Sequence, residues 1–446
     1  MSREKTIAAI STPPGNSGIG AIRVSGPETL NLIKKIFKKK LMPREASLRK
    51  FYDKEGDAID NVIAIYYKKP NSYTGEDMLE LHAHGNPVIL DAILENIVGK
   101  TVQHARPGEF TEKAFLNGKI DLAQAEAVAD LIASSSLKAV KGSFNSLNGV
   151  FSDKISEANK KILELRAKIE SIINFPEDNI PENKNSALMN DIDHITIRVN
   201  EIISVANQGI KLSKQNIFCV TGRPNVGKSS LINSMLGQSS SIVSNTPGTT
   251  RDSIQYEIQS DNHSFVVIDT AGLRESTDEI EKEGIKKTRE AIQKSDNVFY
   301  VVDDTVGFTK EDKKIINKFQ IKNYDLIFNK IDLTKKEPVI KKGKINKIYL
   351  SAKKNYGINH ILGMIKMNDS YNASSENTVT ARKRHLESSK SALTSLYNAK
   401  KYLDNDELEL LAEELKLAQE SLFQITGGDS TEELLSKIFS EFCIGK

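Results

Sequence analysis

Gly222-Arg223-Pro224-Asn225-Val226-Gly227-Lys228-Ser229 has the pattern Gly-x-x-x-x-Gly-Lys-Ser. It follows the apolar run Ile217–Val220 and precedes the helix-forming run Ser230–Leu236. A strand, a glycine-bearing loop and a helix in that order cradle phosphates. The glycines let backbone N–H groups approach the oxygens, and the helix N-terminus adds a favourable dipole. Lys228 offers a point charge to β and γ oxygens, and the Ser229 hydroxyl can ligate Mg²⁺. Outward from this loop, strand-like runs at Phe265–Ile268, Val298–Val302, Leu326–Phe328 and Ile348–Leu350 alternate with helical stretches. That rhythm predicts a doubly wound, Ras-like P-loop domain over residues 215–368, with its ligand at the carboxyl ends of the strands.

Three more motifs fall at those strand ends. Asp269-Thr270-Ala271-Gly272 supplies a carboxylate for water-held Mg²⁺ and a glycine amide for a γ-phosphate. In Asn329-Lys330-Ile331-Asp332, the Asp332 carboxylate can accept from guanine N1 and N2, a charge-assisted pair that adenine cannot offer. Ser351-Ala352-Lys353 leaves a backbone amide for guanine O6. Four motifs in this order predict a GTP-binding domain. The residue after Asp-x-x-Gly is Leu273, which cannot orient water, so another group must. The stretch Glu275-Ser276-Thr277-Asp278-Glu279-Ile280-Glu281 offers candidates, though from spacing alone these are equally the solvated charges that open a helix. Ser244-Asn245-Thr246-Pro247-Gly248-Thr249-Thr250-Arg251 lies where a switch loop belongs; Thr250 can reach Mg²⁺, and Arg251 reads as a surface charge rather than an internal arginine finger.

The chain has 446 residues, room for about three domains. Its net charge of +3 announces no bulk nucleic-acid binder, and two cysteines exclude a disulfide framework or a four-cysteine zinc site. No apolar run approaches the ~20 residues of a membrane span, and no signal-peptide core follows the start, so no membrane association and a cytoplasmic address are expected. Residues 1–118 mix short strands (Thr6–Ile10, Ile59–Tyr67, Met78–His82) with helices (Glu28–Phe37, Val88–Val98), a compact α/β or α+β unit in which Gly18-Ile19-Gly20 reads as a turn. Residues 119–214 and 369–446 lack strands. Ala158, Ile162, Leu165, Ile169 and Ile172 step by three and four, as do Leu408, Leu411, Leu415, Ala418, Leu422 and Ile425. The expected fold is therefore a multidomain α/β plus all-α chain: an N-terminal α/β domain, then a helical bundle interrupted by the inserted P-loop domain.

With Asn225 in the P-loop, Gly248-Thr249-Thr250-Arg251, Asp269-Thr270-Ala271-Gly272-Leu273-Arg274 and the ending Phe442-Cys443-Ile444-Gly445-Lys446, the chain resembles the MnmE (TrmE) family of tRNA-modification GTPases over essentially its full length. Thr12-Pro13-Pro14-Gly15, Tyr73-Thr74-Gly75-Glu76-Asp77, Arg106-Pro107-Gly108-Glu109-Phe110 and Asp121-Leu122-Ala123-Gln124-Ala125-Glu126-Ala127 look like the same family. Asn86 stands where the family has a second glycine after His84-Gly85.

The resemblance implies a homodimer whose N-terminal domains bind a 5-formyl- or 5,10-methylene-tetrahydrofolate. It also implies a heterotetramer with the FAD-dependent MnmG protein, and addition of a carboxymethylaminomethyl-type group to wobble uridine 34 of certain tRNAs. GTP contacts would come from Asn225 to Ser230, Ser244 to Thr250, Asp269 to Gly272, Asn329, Lys330, Asp332 and Ser351 to Lys353. Mg²⁺ would sit on Ser229 and Thr250, and K⁺ on Asn225, Ser244, Thr246 and Thr249, serving where others use an arginine finger. Glu281 would position the attacking water through a bridging water. The folate pattern falls on Arg23, Glu80, Lys119 and Lys446, with Cys443 nearby as a thiolate; read as a residue alone, Cys443 is equally an inert tail cysteine. By residue type, Glu80, His82 and His84 on one strand face read as a solvated polar face more readily than as a metal site. The alternative is a GTP-switched ribosome-assembly or RNA-binding factor of the Era or Der type, without modification chemistry.

Overall fold

The computed structural model describes residues 5–134, 136–174, 184–213, 216–238, 255–260, 263–269, 288–368, 378–428 and 431–446. They form two compact units. One comprises Met1–Ala133, Ser143–Ile210 and Val379–Lys446; the other comprises Ser134–Gly142 and Lys211–Thr378.

In the second unit, strands β7 (Asn216–Gly222), β9 (His263–Asp269), β10 (Asn297–Asp303), β11 (Tyr324–Asn329) and β13 (Lys347–Tyr349) are parallel. Antiparallel β8 (Gln255–Ser260) and β12 (Val339–Lys341) close the edges, giving the order β12-β13-β11-β10-β7-β9-β8. Alternate strand residues enter two separate cores. Phe218, Val220, Phe299 and Val301 lie in one, Cys219, Val298, Tyr300 and Val302 in the other. Burial on both faces is why these strands read as unbroken apolar runs.

The first unit opens with a six-stranded sheet of β1 (Thr6–Ile10), β2 (Ser17–Ser25), β3 (Ser47–Tyr52), β4 (Ala58–Tyr67), β5 (Met78–Gly85) and β6 (Val102–His104), in the order β3-β4-β5-β2-β1-β6. Gly18-Ile19-Gly20 is not a turn but part of β2, where pairing with β5 slips between Ser17 and Gly20. Glycines inside a strand often mark such a bulge. Along β5, Leu79, Leu81 and Ala83 are buried in the core while Glu80, His82 and His84 occupy the more exposed face. Asn86 caps the next helix, Pro87–Ile97, its side chain accepting from the Val88 amide; Pro87 then fits the first turn, whose N–H would lack a partner anyway.

Beyond the sheet the unit is helical. The helices Val150–Asn174 and Lys184–Ser213 share one core with Lys383–Asp404 and Leu408–Thr426, from the far side of the inserted unit. Leu411, Leu415, Leu422 and Ile425 are fully buried there, each contributing about 1.5–3 kcal/mol. The last helix, Glu432–Ser440, packs Leu435, Ile438 and Phe439 against Leu122, Ala125 and Val128 of the helix Leu122–Ala133.

A charged knot joins these helices. Glu126, 1% exposed, takes both Arg384 Nε (2.8 Å) and Nη2 (2.7 Å), and His385 Nε2 lies 2.7 Å away. His385 Nδ1 accepts from the Arg382 amide, leaving the proton on Nε2 to donate to Glu126. Arg382 reaches Asp130 and Glu441. Burial alone would raise the Glu126 carboxyl, but the His385 and Arg384 contacts bring it down to about 2 from 4.5; burial also pulls His385 below its usual value. A carboxylate depressed in the folded state stabilises above its unfolded pKa and loses that stabilisation as pH falls. Glu126 therefore contributes stability at neutral pH that is lost as pH falls. Thermal unfolding followed from pH 6 to pH 3 should show stability falling below about pH 4.5. Glu126→Gln should cost about 3–5 kcal/mol at pH 7 and flatten that decline; an unaltered decline would dismiss the knot as its cause.

Candidate functional site

The loop after β7 is held by its own lysine. Lys228, buried at the start of the helix Lys228–Gln238, donates through Nζ to the Gly222 and Arg223 carbonyls at 2.9 and 2.8 Å. Ser229 and Ser230 follow it and are exposed. Gly227 has φ +94°, and a Cβ there would stand 2.4 Å from Asn329 Nδ2, so no larger residue fits. Arg223 is anchored from the side, its Nε 2.9 Å from Asp312 Oδ1, which also accepts from the Tyr300 hydroxyl.

Asn329, at the end of β11, ties the loops at Lys330 and Ala352 to the P-loop. Its Nδ2 donates to the Val226 carbonyl at 3.0 Å, and its Oδ1 accepts from the Lys330 and Ala352 amides at 2.8 and 2.9 Å. Lys330 Nζ reaches the Asn225 carbonyl at 2.8 Å and Asp303 Oδ2 at 2.6 Å. Burial would raise the Asp303 carboxyl, but Lys330 and Thr305 hold it below its usual value. Asp332 sits in the short helix Ile331–Thr334 and accepts from Ser351 Oγ at 2.6 Å, while Lys353 is exposed beyond it. The structure thus brings together Asn225, Val226, Gly227, Lys228, Asn329, Lys330, Asp332, Ser351 and Ala352. Asp269, buried at the end of β9, pairs in register with Val220 at the root of the P-loop. Burial and the Asp269 charge push the Cys219 thiol up to about 12, leaving it inert. The anchors Asp303 and Asp312 were not foreseen; Asp303 at the carboxyl end of an apolar strand was the available signal. Ser244, Asn245, Thr246, Pro247, Gly248, Thr249, Thr250, Arg251, Thr270, Ala271, Gly272, Leu273 and Glu281 lie outside the described residues.

The first unit holds a second polar constellation. Arg23 on β2 faces Glu80 on β5 in register, its Nε 2.8 Å from Oε1. The other carboxylate oxygen accepts from the Tyr67 hydroxyl at 3.2 Å, with His82 Nε2 3.7 Å away. The chain end arrives beside them. Arg23 Nη1 lies 3.5 Å from the Gly445 carbonyl, the Gly108 amide donates to the Cys443 carbonyl and the Phe110 amide to that of Lys446. Burial, then the Arg23 charge, lowers Lys446 below the usual lysine range, while Glu80 and Cys443 oppose them. Cys443 is an exposed free thiol. Lys119 donates to the Pro70 carbonyl at 3.1 Å and its stem packs near Gly75, so it stands on the loop between β4 and β5. Tyr67 was missed because its partner is set by the register of β4 on β5, which sequence spacing does not reveal. Its signal was only a polar-tipped aromatic closing an apolar strand. Among the described residues no group of three or more His, Cys, Asp and Glu side chains is arranged to hold a metal.

A family model described as the GTP-binding protein TrmE N-terminus matches residues 6–119, and the MnmE helical domain matches residues 122–443. The chain belongs to the MnmE family of tRNA modification GTPases. It is similar to the tRNA modification GTPase MnmE of Coxiella burnetii, 43% identical over 448 residues that cover 99% of each chain. Similarity to that of Hydrogenovibrio crunogenus is 40% over 449 residues, and to that of Francisella philomiragia 42% over 455, each covering 100% of both chains. GTP binding goes with membership of this GTPase family. Among the described residues no helix is long and apolar enough to cross a membrane.

Guanine selectivity should reside in Asp332. Asp332→Asn should lower GTP affinity roughly ten- to a hundredfold, the worth of a charged hydrogen bond of ~1.5–3 kcal/mol. It should also raise affinity for xanthosine triphosphate, whose C2 carbonyl an amide can donate to. A competition assay in which the variant keeps full GTP preference would move base recognition elsewhere.

Proposed function

We propose that this chain hydrolyses GTP in a potassium-dependent cycle. With the FAD-dependent MnmG protein, it adds a carboxymethylaminomethyl-type group to wobble uridine 34 of certain tRNAs, taking one carbon from a tetrahydrofolate. The observation that carries the modification chemistry is the convergence of Arg23, Glu80 and Lys446 from opposite ends of the chain. A GTP-switched RNA-binding factor would have no use for that pocket.

The residues present suit the ligand. A pterin shows an amide-like edge of donors, and the Glu80 carboxylate, oriented by Arg23 and Tyr67, can accept from it. Lys446 and Lys119 supply cations for the glutamate tail, and Cys443 brings a thiol to the same chain end. In the other unit, Lys228 would neutralise β and γ oxygens, Asp332 would read guanine, and Ala352 would offer its amide to O6. Ser229 and Asp269 carry the hard oxygen donors that Mg²⁺ prefers, with Thr250 as a further ligand. Asn225, held at φ 63° on the P-loop, is the described member of the potassium set with Ser244, Thr246 and Thr249. That cation would offset charge on the transferring phosphoryl group, and Glu281 would position water. The domains run 1–118, 119–214, 215–368 and 369–446. The chain works in the cytoplasm as a homodimer through its N-terminal domains, joined by MnmG in a heterotetramer.

Two measurements test this. GTP turnover should be fast in potassium and slow in sodium, because a monovalent ion replaces part of the ~10³–10⁵ that an arginine finger supplies. Equal rates in the two salts would sink the potassium role. Glu281→Ala should lose turnover while still binding GTP. Calorimetry with 5-formyltetrahydrofolate should show Glu80→Ala weakened by ~1.5–3 kcal/mol, and unchanged affinity would relocate the pocket.

A further inference from the structure

Between Lys34 and Lys50 the chain carries eight cations against the single carboxylate of Glu45, a net of seven positive charges where the whole chain totals +3. The remaining residues are therefore net negative by four. Lys34, Lys35, Lys38, Lys39 and Lys40, all exposed, crowd the C-terminal end of the helix Thr29–Phe37 and the turn after it. That helix packs on β3, which adds Arg49 and exposed Lys50. Lys34 and Lys35 complement the negative end of the helix dipole, but one turn needs no more than these. Among the described residues none of the eight pairs with a carboxylate. Among the described residues no carboxylate offsets the mutual repulsion of this surface.

Its position supplies the partner. Arg44 donates from its amide to the Tyr66 carbonyl on β4 and from Nη2 to the Asn71 carbonyl, and its guanidinium stands 5.8 Å from the centre of the Tyr67 ring. Tyr67 in turn donates to Glu80. The helix Thr29–Phe37 shares its core with Leu79 and Leu81, on the face of β5 opposite Glu80, so it is Arg44 that carries the basic surface round to the side of Tyr67 and Glu80. We infer that the Lys34–Lys50 surface binds the phosphate backbone of the substrate tRNA and leads it to that pocket. The inference rests on the proposed modification chemistry, because a base treated at the pocket must bring its backbone past the rim. Lysine-rich, carboxylate-poor surface is the kind that phosphates engage, releasing counterions as they do.

The test is anisotropy of a labelled substrate tRNA with the full chain, titrated in potassium chloride from about 50 to 200 mM, where such contacts show most strongly. The variant Lys38→Gln/Lys39→Gln/Lys40→Gln should bind roughly ten- to a hundredfold more weakly near 100 mM salt, with a log–log salt slope shallower by about two. Its GTP turnover and its calorimetric affinity for 5-formyltetrahydrofolate should match the unaltered chain, which also shows that it folds. The control Lys342→Gln/Lys344→Gln/Lys347→Gln removes equal charge from exposed positions of the other unit and should do markedly less. An unchanged slope, or equal losses in both triple variants, overturns the assignment. So does a loss of affinity for the FAD protein or for anionic vesicles with tRNA binding intact. An unaltered chain that binds no tetrahydrofolate would instead overturn the proposed function itself.

Discussion

Two backbone hydrogen bonds, from Gly108 to the Cys443 carbonyl and from Phe110 to the Lys446 carbonyl, hold the end of the chain against the start of the helix Glu109–Leu116. Gly445 makes the approach possible. At φ +89° it lies so near β1 that a Cβ would stand 2.5 Å from the Ile10 carbonyl. For those contacts to exist, the helices after residue 378 must return to the N-terminal sheet. They do so by completing the core begun by Val150–Asn174 and Lys184–Ser213, with Gly209 lying against Val379 and Ala381 where the chain re-enters the unit. The Glu126 knot and the Leu122–Phe439 cluster fix the last helix at the right depth. The insertion of the P-loop unit and the presence of Lys446 beside Arg23 are thus two consequences of one constraint.

The nucleotide unit obeys a comparable local rule. Asn329 spends both ends of its amide on backbone, one on the P-loop and one on the loops that begin at Lys330 and Ala352. The three loops are thereby tied together, and the Lys330–Asp303 pair reinforces the tie. Buried amides and carbonyls left unmatched would each cost about 1–3 kcal/mol, which is why this residue type sits at this strand end.

Much of this was legible in the sequence because burial on both faces writes itself as continuous apolar runs: β7, β9, β10, β11 and β13 all announced themselves. The long bundle helices did the same through spacings of three and four. The strands that stayed hidden were β2, β3, β6, β8 and β12. β2 carries two glycines and a bulge; β3, β6, β8 and β12 lie at or near sheet edges, where one-sided burial dilutes the pattern. Motif residues such as Lys228 and Asp332 were visible because each stands in a short run of fixed local order. Tyr67 and Asp303 were not, since each acquires its partner only through strand register. Arg23 and Glu80, 57 residues apart, are joined by the same register, and it was family resemblance, not spacing, that named them.

The account stands on the polar cluster of Arg23, Glu80 and Tyr67 beside which Gly445 and Lys446 arrive. A crystal structure of the full chain with 5-formyltetrahydrofolate is its most direct test. The account predicts the pterin edge within hydrogen-bonding distance of Glu80, about 2.7–3.2 Å, with the glutamate tail toward Lys446 and Lys119. Ligand density at any other place, with Glu80 still closed on Arg23 and Tyr67 alone, would contradict it.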